Sequence, residues 1–278
     1  MKIGIIGLGL IGGSLGLDLK AQGQEILGVS RKATTCQTAV EIGVADQASI
    51  DLSILAAAEI VILCTPIAKI ADTLQQLIPY LQPETIVTDV GSVKQPIVQA
   101  CSQLWSNFIG GHPMAGTTEQ GINAAQANLF KGAAYVFTPT VENAVGIAKL
   151  TNIAQSLGAT PYVCSPEVHD AAVAWISHLP VMISTSLISS CLGETDPQVL
   201  ELAQHLASSG FRDTSRVGGG NPELGKMMAQ YNRKALLRSL QAYSQNLNTI
   251  ISLIEQENWD NLEQILQTNQ EARPKFLN

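Results

Sequence analysis

Over the first 165 residues, short runs rich in aliphatic and β-branched side chains alternate with stretches whose apolar positions recur at helical spacing. That is the pattern of βαβ units around a parallel sheet. The runs at 2–6, 25–29, 59–64, 85–90, 108–110, 135–138 and 161–164 read as strands. The stretches at 10–22, 34–42, 67–77, 94–105 and 142–157 read as helices, several closed by a glycine such as Gly23, Gly43 or Gly158. After Ser165-Pro166 the strand signal stops. Residues 167–266 read as successive helices, with breaks expected at Pro180, Gly193, Gly210, Gly218 to Gly220 and Pro222. The expected organisation is α/β, with a mostly parallel sheet domain over 1–165 followed by an all-α domain over 166–278.

Composition adds an oligomer to this picture. Of the 278 residues 46% are hydrophobic and 14% charged, which suggests that apolar surface is covered by another subunit. The net charge of −7 comes without a basic run, so neither nucleic acid nor an anionic membrane is expected as a partner. Five scattered cysteines lack metal-finger spacing, which fits a reducing compartment, and no metal site is expected. Met1-Lys2 and the apolar residues after it imitate a signal peptide, but six glycines between Gly4 and Gly16 dilute the apolar centre. No later stretch approaches an uninterrupted membrane span, and the expected location is cytoplasmic.

The first strand runs into Gly7-Leu8-Gly9-Leu10-Ile11-Gly12 and then a helix. In this G-x-G-x-x-G turn the first glycine makes the bend, the second admits a pyrophosphate and the third lets helix meet strand. The context of strand, turn, helix and strand marks a Rossmann-type dinucleotide site with the phosphates at the helix start. The end of the second strand normally carries a carboxylate for the ribose 2′-hydroxyl of NAD. Here it carries Ser30-Arg31, with Thr35 behind, a set suited to a 2′-phosphate, so the expected cofactor is NADP. Thr65-Pro66 and Ser92 follow later strands, at the carboxyl ends where open sheets bind ligands.

Past the fourth long strand, Gly110-Gly111-His112-Pro113-Met114-Ala115-Gly116 reads as a glycine-framed loop carrying a histidine suited to accept a hydroxyl proton. With Gly7 to Gly12, Asp89-Val90-Gly91-Ser92-Val93-Lys94, Ser177-His178-Leu179-Pro180 and Phe211-Arg212-Asp213-Thr214-Ser215-Arg216, it forms an ordered series spanning nearly the whole chain. The series resembles the prephenate and arogenate dehydrogenases of tyrosine biosynthesis, most nearly the cyanobacterial arogenate enzymes.

That resemblance implies oxidative decarboxylation of a cyclohexadienyl acid, and a homodimer formed through the helical domain. By motif, His112 accepts the ring hydroxyl proton, Ser92 hydrogen-bonds near that histidine and the nicotinamide, and Arg216 grips a substrate carboxylate. His178 and Thr117 line the substrate site, and Asp213 either accepts the substrate amino group or orients Arg216. Val181 stands where several prephenate-using relatives carry a further histidine, which favours arogenate. Thr118 stands where relatives carry an acidic residue, so Glu119 receives no role. Lys94 is read either as a solvated helix-start lysine or as a cation facing substrate, and His169 and His205 as surface or packing residues. The alternatives are a prephenate dehydrogenase, a β-hydroxyacid-type dehydrogenase with a lysine in its second domain, and a non-catalytic NADP-binding sensor. Because the helical half uses almost everything up to Leu266, no added regulatory module is expected.

Overall fold

The structure, a computed structural model, describes residues 1–117, 119–140 and 143–277. Thr118 and Glu142, both of which entered the sequence reading, lie outside the described residues. The chain separates into two compact units, Met1–Asn232 and Arg233–Asn278.

The first unit is built on an eight-stranded sheet ordered β3-β2-β1-β4-β5-β6-β7-β8. Its strands are β1 (Lys2–Ile6), β2 (Glu25–Val29), β3 (Gln47–Ser49), β4 (Ile60–Leu63), β5 (Ile86–Asp89), β6 (Phe108–Pro113), β7 (Ala134–Thr138) and β8 (Thr160–Val163). All pairings are parallel except β6 with β7. Two apolar clusters follow from the period-two alternation of the strands. Ile3, Ile5, Ile26, Ile60, Ile62 and Ile86 belong to one, and Ile6, Leu27, Val29, Val61, Leu63 and Val87 to the other. Helices cover both faces: α1 (Leu10–Ala21), α2 (Ala33–Glu41), α3 (Ile70–Leu77), α4 (Gln95–Leu104) and α5 (Ala144–Ser156).

Four departures from the sequence reading have physical causes. β3 was not anticipated, because Gln47-Ala48-Ser49 has neither β-branched residues nor alternation, and pairing with β2 alone makes it a strand. His112 lies on β6 and not in a loop, for β6 runs on through Gly110 to Pro113 against β7. Gly210 sits in the first turn of a helix, and the break falls just before it, at 207–208. Pro180 breaks nothing: α6 (Pro166–Val173), a π-helical turn (Ala174–His178) and α7 (Leu179–Leu192) run on as one 27-residue helical segment. The wider turn before Pro180 accommodates a ring that lacks an N–H.

That segment, Pro166–Leu192, has an 18-residue window of mean hydropathy 1.6, long and apolar enough to cross a membrane by length and composition, against expectation. Scattered serines and threonines conceal it from a search for an unbroken apolar run. Only 28% of the window is buried within the chain. The further α-helices of the first unit are α8 (Pro197–Leu206), α9 (Ser209–Ser215) and α10 (Pro222–Tyr231). The second unit consists of α11 (Arg233–Glu255), packed on α12 (Trp259–Ala272), and a 3₁₀ turn. Its break therefore falls well after the change in composition at 165, because α6 packs against α4 and β7 and joins the sheet unit.

Candidate active site

A cleft of about 890 Å³ opens at the carboxyl ends of β1, β2 and β4. Of the expected cofactor residues, Gly7, Leu8, Gly9, Ser30, Arg31, Thr35, Thr65 and Pro66 line it; Leu10, Ile11, Gly12 and Ser92 do not. Gly7 has φ +102°, and a Cβ there would stand 2.5 Å from the Cys64 carbonyl oxygen. A Cβ on Gly12 would collide with the Gly7 carbonyl oxygen, whereas one on Gly9 would meet nothing within 4 Å. The turn is closed on the protein side at its first and third glycines and open at its second, where a pyrophosphate needs room.

Leu10, Ile11 and Gly12 supply amides at the start of α1 that have no helical partner, and no acidic residue stands in that first turn. The Thr65 hydroxyl on the cleft wall is buried without a hydrogen-bond partner among the described residues. Lys69 and Asp72, also on the wall, pair with each other at 3.2 Å. Open space at Gly9, a set of helix-start amides and an orphaned hydroxyl together fit a dinucleotide.

The second constellation is buried. His112 is 8% exposed, and its Nδ1 lies 2.8 Å from His169 Nε2; His169 Nδ1 lies 2.8 Å from Asp170 Oδ1. The Asp170 carboxylate also accepts the backbone amides of Lys94 (2.6 Å) and Gln95 (2.9 Å) at the start of α4. Both of its oxygens are thus acceptors, held by a helix N-terminus. This fixes the protons. His169 donates from Nδ1 to Asp170 and presents a lone pair at Nε2; His112 donates from Nδ1 to that lone pair and keeps its own lone pair at Nε2. Burial, reinforced by His169 and Lys94, holds the His112 pKa well below the ordinary histidine value, so the ring is a neutral base at physiological pH.

The sequence reading missed His169. A signal was available: Pro166, His169, Asp170 and Val173 are the buried residues of α6, spaced i, i+3, i+4 and i+7, so two polar residues occupy a helix's buried stripe. The glycines before His112 serve strand packing and do not form a loop. A Cβ on Gly111 would lie 2.5 Å from the Asp89 carbonyl oxygen, and one on Gly110 would strike the Thr138 hydroxyl, so they let three strands close up. Lys94 is neither solvated nor facing substrate. It is fully buried, bonded to Asp89 and to the Gly111 carbonyl (2.7 Å), with burial pushing its pKa down and Asp89 opposing that.

Ser92 is half-buried, and its hydroxyl has no partner among the described residues, so His112 is held by His169 and not by Ser92. His178 is fully buried; Asn232 Nδ2 lies 3.1 Å from its Nδ1 and donates to the Asp170 carbonyl at 2.8 Å. Thr117 is exposed and accepts the Glu119 amide. Arg216 is exposed just beyond α9. Asp213 is exposed and pairs through one carboxylate oxygen with the neighbouring Arg212 at 3.1 Å.

Comparison with known proteins gives a consistent result. Residues 15–163 match the model of the prephenate dehydrogenase nucleotide-binding domain, and residues 165–268 that of the prephenate dehydrogenase dimerization domain. The prephenate dehydrogenase of Bacillus subtilis is 31% identical over 277 residues, covering 97% of this chain and 74% of the relative. The crystal structure of Synechocystis arogenate dehydrogenase is 56% identical with a TM-score of 0.90, covering 99% of this chain and all of that one. A prephenate dehydrogenase from A. aeolicus, in complex with hydroxyphenyl propionate and NAD+, shares the fold at 24% identity and a TM-score of 0.92, covering 99% and 98%.

Proposed function

The chain belongs to the prephenate dehydrogenase family, and on that premise we propose that it is an NADP-dependent arogenate dehydrogenase of tyrosine biosynthesis. The observation that carries the chemistry is the His112–His169–Asp170 chain, which leaves a neutral imidazole with its Nε2 lone pair available at the carboxyl end of β6. The arogenate assignment draws on the 56% identity to the Synechocystis enzyme and on Val181.

Bound nicotinamide supplies the hydride acceptor at the ring carbon that bears the hydroxyl. His112 Nε2 takes the hydroxyl proton as that carbon becomes a carbonyl. The imidazolium so formed is stabilised through Nδ1 by His169, which Asp170 orients. The ring carboxylate then leaves as carbon dioxide, and the electrons of its carbon–carbon bond complete the aromatic ring. Arg216 is assigned to a substrate carboxylate, with Thr117 and His178 lining the substrate site and Ser92 donating toward the nicotinamide region. The cofactor residues are Gly7 to Gly12, Ser30, Arg31, Thr35, Thr65, Pro66 and Ser92.

NADP is favoured over NAD because Ser30, Arg31 and Lys32 on the cleft wall replace the usual carboxylate, while Asp72 is paired to Lys69. A homodimer is favoured by the dimerization-domain match and by the mostly uncovered apolar segment at Pro166–Leu192. The functional division is placed at 165/166, and a cytoplasmic location fits five cysteines that are all free thiols. The test is purified protein with arogenate or prephenate, each with NADP or NAD, followed at the reduced-nicotinamide band. Arogenate with NADP is expected to give the highest kcat/KM. A preference for prephenate or for NAD overturns that part of the assignment, and no turnover with either acid overturns the whole.

A further inference from the structure

His112 is not the only buried histidine whose protons the structure fixes. The Asn232 side-chain nitrogen donates to the Asp170 carbonyl oxygen at 2.8 Å; because a carbonyl only accepts, this contact sets which end of the amide is the nitrogen. The second hydrogen of the same NH2 group points to His178 Nδ1 at 3.1 Å. His178 Nδ1 is therefore the acceptor, and the ring proton sits on Nε2. That Nε2–H belongs to a side chain that is 0% exposed, and it has no partner among the described residues. A buried donor without an acceptor is costly, and such a group is retained where something else supplies the acceptor. The ring does not escape by taking a second proton and becoming charged, since burial pushes its pKa down to about 4.

We infer that Asn232 is a positioning residue that locks His178 as a hydrogen-bond donor, its Nε2–H presented to a carboxylate or carbonyl oxygen of the bound substrate. The tautomer stands on the geometry alone; the identity of the acceptor rests on the cyclohexadienyl-acid reading of the site. Asp170 then joins two histidines of opposite polarity. Its carboxylate fixes His112 through His169 as an acceptor at Nε2, and its backbone carbonyl fixes His178 through Asn232 as a donor at Nε2. One end of the substrate hydroxy acid gives a proton and another receives a hydrogen bond.

Long-range ¹H–¹⁵N correlation of the histidine rings in the full-length protein tests the tautomer without any ligand, and the chain has only four histidines to assign. The expected spectrum for His178 at pH 7 is a neutral ring protonated at Nε2, changing in Asn232→Asp to a ring protonated at Nδ1. A wild-type His178 protonated at Nδ1 overturns the inference. For the acceptor, His178→Gln retains an amide donor near the Nε2 position and His178→Asn does not. His178→Asn is expected to raise the arogenate KM about tenfold more than His178→Gln, with kcat and melting temperature alike in the two. Equal KM values overturn the donor role. Absence of turnover with arogenate and prephenate in the wild type would fail the functional reading while leaving the spectroscopic result to stand or fall by itself.

Discussion

The cofactor cleft and the histidine cluster are built on opposite plans. The phosphate end of the cleft is open and made of backbone: a positive-φ glycine, a helix start and the space left at Gly9, all within twelve residues of the N-terminus. The cluster is closed and made of side chains from β6, α6, the π turn and the residue after α10, with partners 57 and 54 positions apart in sequence. The cleft can bind a ligand whose phosphates remain partly solvated. The cluster instead fixes proton positions, which requires burial and a partner at each histidine Nδ1. Local geometry suffices for the first task, and long-range packing is needed for the second.

Breaking the cluster at its base gives the largest expected effect. Lys94→Met leaves the fully buried Asp89 carboxyl without its cation, and is expected to lower unfolding stability by about 3–5 kcal/mol in denaturant titration. An unchanged midpoint would show that the Asp89–Lys94 pair does not support the β5–β6 pairing beneath His112. His112→Asn leaves the fold in place and should lower kcat by roughly 10²-fold or more with NADP affinity by calorimetry unchanged. A loss of affinity instead would mean that cleft and cluster are not separable.

pH provides a milder disturbance confined to the cluster. His112 and His178 have folded pKa values below the ordinary 6.5, His178 at about 4, so the unfolded chain binds more protons than the folded one in this window. Stability is therefore full above about pH 6.5 and falls as pH drops toward 4, with His178 contributing on the order of 3 kcal/mol. Turnover should follow the same sign, flat at neutral and alkaline pH and lost in acid. A rate that keeps rising above pH 7 would assign the base elsewhere.

The smallest effect sharpens the cleft side. A Cβ at Gly9 meets no protein atom, so Gly9→Ala should leave the melting temperature unchanged while weakening NADP about tenfold by crowding the pyrophosphate. A lowered melting temperature with normal affinity would reverse that reading.

The contrast also explains what could be read before folding. Seven of the eight strands, the G-x-G-x-x-G turn and the Ser30-Arg31 step are carried by periodicity and by residues adjacent in the chain. His112 was legible as a residue but not as a strand position, because Gly110 and Gly111 read as a turn although packing against β5 and β7 is what demands them. His169 was hidden by being read by itself, without Asp170 beside it. Their shared place on the buried stripe of α6 was the usable sign. Asn232 carried none, since an asparagine after a helix is ordinary.

The sequence by itself therefore determined seven of the eight strands and the dinucleotide turn, because hydrophobic period and steric demand at glycine act over a few residues, and the order of its short motifs carried the family. The tertiary structure alone decided that Lys94 is an interior lysine and which nitrogen of each buried histidine carries the proton. Those outcomes depend on hydrogen-bond partners brought together from separate segments and shut away from water, where an unpaired polar group is too costly to leave its orientation open.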